Sequence, residues 1–315
     1  GKDFSCALSQ TGVVKCWGLN TGGQLGQDRP GVVSTATEYI GDAASELGNA
    51  LPAVSLGGSA IDIQTSSEAS HVCALLSTNR MKCWGRNLEG QLGLARGTGT
   101  CSSTTSTACL GDEFGDVATA SFLTFPSNPG ATVLRMAVGS LHTCAHLSTQ
   151  VVMCWGDNTN GALGVDSADA TRVLKGTAPF ASAVNFNGAF SVGNIISLSA
   201  NLNASCASYS VSGSHEALCW GEGSSGKLGQ NSVTDAGTVA NPLASVATSI
   251  PFTPFTLLTS GIKMGQDYAC LRGESVAANV LCWGTNTDGA LGSGGGATND
   301  PNDSVALGPF TDIYT

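Results

Sequence analysis

Twelve cysteines and four histidines are the residues of this chain whose types could do chemistry. Thiolates bind zinc, exchange electrons or close disulfides, and their spacing separates these roles. No two cysteines stand in a Cys-x-x-Cys pair, whereas ten form five pairs separated by 10, 10, 10, 13 and 12 positions. Each pair spans two short apolar runs around a polar turn, such as Ser9-Gln-Thr-Gly12 or Ser77-Thr-Asn-Arg80, which reads as an antiparallel hairpin. Facing residues of such a hairpin lie within disulfide range, so the spacing predicts Cys6–Cys16, Cys73–Cys83, Cys144–Cys154, Cys206–Cys219 and Cys270–Cys282. Cys101 and Cys109 bracket a Ser/Thr-rich stretch and are expected to pair with each other. An even set of bridged cysteines implies an oxidising compartment, outside the cell or in a secretory space.

The other chemical candidates are weaker. His71 and His142 each stand two positions before a cysteine, where the remaining copies carry Phe4, Ala204 and Tyr268. That makes them packing residues, since equivalent positions of successive repeats are expected to lie too far apart to share a metal. His146 and His215 show no ligand spacing in the sequence. The segment Asn299-Asp-Pro-Asn-Asp303 offers oxygen ligands for calcium but lacks the spacing of an EF-hand loop, and is expected to be a solvated turn. There is no Gly-x-Ser-x-Gly elbow, His-Glu-x-x-His helix or phosphate-binding loop, and Gly294-Gly-Gly296 reads as a turn. The sequence therefore predicts no catalytic residue, no metal site and no cofactor. Two tripeptides, Asn203-Ala-Ser205 and Asn302-Asp-Ser304, have the form of N-glycosylation acceptors.

What must position these residues is a repeat. Trp17, Trp84, Trp155, Trp220 and Trp283 lie 67, 71, 65 and 63 residues apart, each directly after the second cysteine of a hairpin. The period exceeds that of a solenoid coil and suits a propeller blade. A large aromatic present once per repeat beside a disulfide is expected to pack between sheets rather than to stack on a ligand. Hairpins are placed near 1–26, 68–93, 139–164, 201–229 and 265–292, within one repeat domain covering 1–315. The insertions 27–58 and 94–132 vary in length and composition, and recognition is expected to reside there. Gly1, Gly139 and Gly265 precede a hairpin cysteine by five positions, where Glu68 and Asn201 stand in the other copies. A turn with positive φ accounts for Gly and Asn there, leaving Glu68 as the odd corner.

Cys-Ala-Leu, Cys-Trp-Gly-x-Asn and Gly-Gln-Leu-Gly recurring in that order resemble the regulator of chromosome condensation repeat family, in its cysteine-bearing extracellular branch. The resemblance implies an all-β fold, a β-propeller of four-stranded antiparallel blades. The family usually has seven blades, and five copies are visible here. Phe310-Thr-Asp-Ile-Tyr-Thr315 is similar to the strand Val133-Leu-Arg-Met-Ala-Val138, so the last strand is expected to complete the blade begun by the first.

Composition narrows the function. With 42 glycines, 11% charged residues and a net charge of −10, the chain is suited to short strands and tight turns and repels phosphate backbones. The nuclear exchange-factor role that the resemblance first brings forward conflicts with both the bridges and the charge, so no nucleic acid partner is expected. No apolar run is long enough to cross a bilayer, and no membrane insertion is expected. Two readings remain: a structural subunit of an extracellular filament, sheath or cell surface that assembles with itself or another protein, and a secreted recognition module whose loops bind a protein or a glycan.

Overall fold

The computed structural model describes residues 1–27, 39–43, 45–94, 109–112, 115–165, 183–184, 186, 195–211, 214–230, 233–238, 240–243, 250–251, 257–274, 280–286 and 289–291. Two compact units contain them, Gly1–Thr149 with Trp155–Asp157, and Gln150–Cys154 with Asn158 onwards.

The architecture is a run of antiparallel sheets, one around each cysteine hairpin. First come β1 (Phe4–Leu8), β2 (Val14–Leu19) and β3 (Tyr39–Ile40), which form one sheet in that order. A second sheet follows with β4 (Ala60–Gln64), β5 (His71–Leu76), β6 (Met81–Arg86) and β7 (Cys109–Leu110), again in chain order. The short helix α1 (Asp116–Thr119) leads to β8 (Val133–Val138), β9 (His142–Leu147) and β10 (Val152–Gly156) of the third sheet. The second unit holds the sheet β11 (Ile195–Asn201), β12 (Ala204–Val211), β13 (Ser214–Gly221), β14 (Ile250–Pro251), and the sheet β15 (Leu257–Met264), β16 (Tyr268–Glu274), β17 (Val280–Gly284). Chain-order meanders need only short connections, which the Gly-rich composition supplies.

Register brings the cysteines face to face. Cys6 opposes Cys16, Cys73 opposes Cys83, Cys206 opposes Cys219 and Cys270 opposes Cys282. All four pairs are bridged, with Cα atoms 4.0–4.1 Å apart. Cys144, Cys154 and Cys109 are disulfide-bonded as well, and Cys101 lies outside the described residues. The longer hairpin loops of the fourth and fifth copies leave the facing register unchanged.

The glycine after each tryptophan is fixed twice over. Gly18, Gly85, Gly156, Gly221 and Gly284 have φ between +103° and +109°. A Cβ there would strike the carbonyl oxygen of Asp3, Ser70, Leu141, Asn203 or Asp267, in that order. The same carbonyls accept the next N–H along, from Leu19, Arg86, Asp157, Glu222 and Thr285, each at 2.9 Å. Backbone thus touches backbone at this point in every copy, and only glycine allows the approach.

Gly139 and Gly265 correct an expectation, because neither has positive φ. Instead their N–H groups close a turn onto the carbonyls of His142 (2.9 Å) and Tyr268 (2.8 Å), as the N-terminal amine of Gly1 does onto Phe4 (3.1 Å). A Cβ at Gly1 or Gly265 would run into the ring of Phe4 or Tyr268, so glycine is kept there by an aromatic ring lying over it. Glu68 is an ordinary surface residue, 3.6 Å from the Lys2 ammonium with both side chains well exposed. Such a pair contributes little.

Part of the long insertion 94–132 is scaffold. Lys82 is buried and donates to the carbonyl of Val117 (2.8 Å), while its ammonium and the Arg80 guanidinium lie 4.8 and 3.8 Å from the centre of the Phe122 ring. Phe125 packs edge-on to Trp155 at 6.2 Å. Within this insertion Cys109 and Leu110 pair with β6 and Val117, Leu123 and Phe125 are buried, while Ala118, Thr119, Ser121 and Thr124 are exposed.

Candidate assembly interface

The Asn-x-x-Gly-x-Leu-Gly segment after each tryptophan folds into two consecutive tight turns. In the first copy Gly23 donates to Asn20 O (3.2 Å) and Gly26 to Gly23 O (2.9 Å), and the other copies repeat the first of these bonds. The Asn side chain fixes the loop from within: Oδ1 of Asn20, Asn87, Asn158 and Asn286 accepts the N–H of Leu25, Leu92, Leu163 and Leu291 at 2.9–3.0 Å. These leucines are buried, as is Leu228 of the fourth copy. There Gly223 replaces the Asn, and Asp235 Oδ1 takes the Gly223 N–H at 2.9 Å instead.

This loop is a socket for the next tryptophan. Indole Nε1 of Trp84 donates to Gln24 O (3.0 Å), Trp155 to Gln91 O (2.9 Å), Trp220 to Ala162 O (2.9 Å) and Trp283 to Lys227 O (3.0 Å). The acceptor is always the residue between Gly and Leu-Gly, and the donor always belongs to the following repeat. All four indoles are fully buried. The closing glycine gives them room: a Cβ on Gly26 would sit 2.7 Å from Trp84 Nε1, and one on Gly164 3.0 Å from Trp220 Cδ1. Gly23 and Gly161 are pressed against the outer segment of the following repeat, at Leu110–Asp112 and Ala236–Gly237. A buried indole with its N–H satisfied contributes both apolar area and a directed bond.

Two junctions carry extra polar locks. In the first unit Thr143 Oγ1 donates to Gln91 O at 2.8 Å, so its oxygen must accept the proton from His71 Nε2, 2.9 Å away. His71 thus reaches Thr143, the residue beside its counterpart His142 in the next repeat. Burial, and after it the neighbouring His142, lowers the His71 pKa to about 3, so the ring is a neutral Nε2–H donor. His142 and His146 share β9, where four residues span about 13 Å rather than one helical turn. In the second unit Lys227, buried to 1% exposure, lies 3.0 Å from Glu222 Oε2 and 3.4 Å from Asp267 Oδ1. Burial raises the Glu222 pKa, but the hydrogen bond and charge of Lys227 outweigh it and hold the carboxyl below its usual value.

Of the residues singled out in the sequence, the cysteines of the first, second, fourth and fifth hairpins are brought together in pairs. Among the described residues no group of three or more His, Cys, Asp or Glu is placed to hold a metal. Asn203 lies in the turn joining β11 and β12, with Ser205 of its tripeptide buried. Asn302, the segment 299–303 and the strand expected at 310–315 fall outside the described residues. What sequence reasoning missed is the socket, although the unvarying Gly-x-Leu-Gly frame around a varying x was its signal: the carbonyl of x is the one feature of that residue common to all four sockets.

The profile of the regulator of chromosome condensation (RCC1) repeat matches residues 1–24, 69–91 and 133–162. Among solved structures, human WBSCR16 is similar at 19% identity and a TM-score of 0.62 over 94% of this chain and 63% of its own. Prp20p from Saccharomyces cerevisiae is similar at 18% identity and a TM-score of 0.58, over 90% of this chain and 56% of its own. The yeast RCC1 (Prp20) bound by Kap60 is similar at 18% identity and a TM-score of 0.59, over 90% of this chain and 54% of its own. The chain therefore spans less than two thirds of the length of these structures, and at such identities the likeness concerns the fold. A search of curated protein sequences finds no match. With all-β meander sheets, the matched repeats and these neighbours, the fold is that of a β-propeller, and three of its hairpins match the repeat of the regulator of chromosome condensation family.

Proposed function

We propose that this chain is a non-enzymatic, extracellular β-propeller protein that serves as a structural or assembly scaffold of a filament, sheath or cell surface. The observation that carries this reading is the repeated interlock, in which a disulfide-stapled hairpin presents an indole to the socket of the preceding repeat. The bridges favour an oxidising environment, and a net charge of −10 argues against nucleic acid as partner. No helix among the described residues is long and apolar enough to cross a membrane. The non-enzymatic reading is supported by what the reactive residue types do: the described cysteines are bridged, His71 is a buried neutral donor, and Lys227 is held in an ion cluster.

A second reading is a secreted recognition module. Prp20p is described with binding to Gsp1p and histones, and yeast RCC1 with Kap60, which favours a protein over a glycan as its ligand. Sedimentation and negative-stain microscopy of the non-reduced protein separate the two. Concentration-dependent polymers are expected; a monomer at all concentrations that captures a soluble protein would replace the scaffold reading with the recognition module.

A further inference from the structure

The turn between β5 and β6, Ser77-Thr78-Asn79-Arg80, is tied down through its backbone while its side chains are left unpaired. Asn79, at φ +58°, donates its N–H to Leu76 O at 2.8 Å, and Leu76 donates to Arg80 O at 2.9 Å. From outside the hairpin, Ser77 donates to Ser59 O and Asn79 O accepts the Val133 N–H, both at 2.9 Å. All four side chains are exposed, and among the described residues none of them makes a hydrogen bond or an ion pair. The matching turns of the hairpins on either side use theirs internally. Ser9 Oγ accepts the Val13 N–H at 3.0 Å and lies 3.0 Å from Thr11 Oγ1, while Ser148 Oγ accepts the Thr132 N–H at 3.0 Å and Thr149 Oγ1 donates to Asn128 Oδ1 at 3.1 Å.

Arg80 differs from an ordinary surface arginine in being held in place. Its guanidinium carbon lies over the half-buried Phe122 ring, 3.8 Å from the centre. Stacking on a ring face restricts a long side chain and leaves the in-plane N–H groups of the guanidinium edge free. The ring is itself anchored, because the next residue, Leu123, is buried and donates to Met81 O at 3.0 Å. Gly57 borders the ring, where an added Cβ would come 3.7 Å from Phe122 Cζ, so no side chain from that residue overhangs it. An unpaired guanidinium edge fits a planar two-oxygen group, which it binds through two parallel hydrogen bonds. No acidic residue stands in Gly57–Ala60, Ser77–Arg80 or Ser121–Thr124 to compete for that edge.

We propose that Arg80, with the Ser77, Thr78 and Asn79 side chains of the same turn, binds the carboxylate of an acidic sugar, a uronic acid residue of a polysaccharide. The Arg80 fork takes the carboxylate, and the two hydroxyls and the amide pair with hydroxyls of the sugar. The surroundings select a sugar over a protein side chain. A protein hot spot centres on a large apolar or aromatic anchor that excludes water, whereas this turn offers hydroxyl and amide groups and its one ring is covered by the guanidinium. The net charge of −10 opposes a polyanion at long range, but that repulsion is screened beyond about 8 Å at physiological salt, and the Arg80 contact acts within it. The site stands independently of both readings above, since a chain that never polymerises would still present this turn.

The test titrates the oxidised, isotope-labelled chain with methyl glucuronide, with methyl glucoside, which lacks the carboxylate, and with N-acetylglutamate amide, which carries a carboxylate on a protein-like stem. Binding is read by NMR from the Arg80 Nε–H resonance and the backbone amides of Ser77, Thr78 and Asn79, the amides alone serving for variants of Arg80. Methyl glucuronide is expected to shift these resonances saturably, with a dissociation constant at least ~10-fold below that of either other probe. Arg80→Gln should weaken glucuronide binding at least ~10-fold, and Arg80→Lys should restore little of it, because an ammonium lacks the paired fork. Replacing Ser77 and Thr78 together by Ala should narrow the preference for the glucuronide over N-acetylglutamate amide. Circular dichroism of every variant should match wild type, as befits exposed turn side chains. No saturable glucuronide shift, or wild-type affinity in Arg80→Gln, would overturn the site. Equal affinity for the glucuronide and N-acetylglutamate amide would overturn the sugar assignment and make the turn a contact for an acidic protein side chain.

Discussion

Gly26→Ala is the sharpest probe of the socket, because a matched control exists in the same unit. Gly26 has φ +59°, and an added Cβ would lie 2.7 Å from Trp84 Nε1, 2.8 Å from Trp84 Cδ1 and 3.0 Å from Val54 Cγ1. Gly48 has φ +66° and nothing within 4 Å of the same added atom. Both substitutions incur the left-handed backbone cost of about 1–2 kcal/mol, which the comparison removes. Gly26→Ala alone overpacks a fully buried indole, at about 1–3 kcal/mol, and displaces it from Gln24 O, at about 0.5–1.5 kcal/mol. The expected difference between the two variants is therefore about 1.5–4.5 kcal/mol, read from urea denaturation of the oxidised proteins by tryptophan emission. Equal losses in the two variants would refute a tight socket and make the Gly-x-Leu-Gly frame a matter of loop shape alone.

Four further outcomes are expected. Trp84→Phe leaves Gln24 O buried without its donor and should lose about 1–3 kcal/mol in the same denaturation assay, while Trp17→Phe changes stability by less than about 0.5 kcal/mol. Between pH 6.5 and about 3 the unfolded chain protonates His71 and the folded chain does not, so native stability falls with pH by about 1.4 kcal/mol per unit from this group. His71→Phe, which installs the ring type found at Phe4 and Tyr268, should flatten the acid limb of a stability-versus-pH curve by that slope; an unchanged limb would contradict a buried neutral His71. Lys227→Met removes the cation that holds the Glu222 carboxyl ionised, so the Glu222 pKa measured by NMR should rise and the stability it lends above the carboxylate range should vanish. Replacing Cys73 and Cys83 together by Ala should cost about 2–3 kcal/mol, checked by denaturation against the oxidised parent.

The hairpins were legible in the sequence because a spacing of ten around a polar turn leaves little choice of register, and the tryptophans were legible as core because one stands beside every staple. The partner of each tryptophan was not. Gln24, Gln91, Ala162 and Lys227 have no side-chain chemistry common to all four, and a carbonyl leaves no trace in residue identity. The contact from His71 to Thr143 was hidden for a related reason: successive repeats touch through neighbouring positions, so the residue beside the equivalent one makes the bond. Gly1 and Gly265 were assigned to backbone freedom, when the cause is the ring three residues on. In the fourth copy, Gly223 in place of Asn hides that the loop is tied instead by Asp235, from twelve residues away.

The five indole N–H groups are themselves the most direct readout of the account. In a nitrogen–proton correlation spectrum of the dilute, oxidised chain, four indole resonances should be protected from solvent exchange and one, Trp17, should exchange rapidly. Rapid exchange at Trp84, Trp155, Trp220 or Trp283 would contradict the claim that each of these indoles seats in the loop of the preceding repeat.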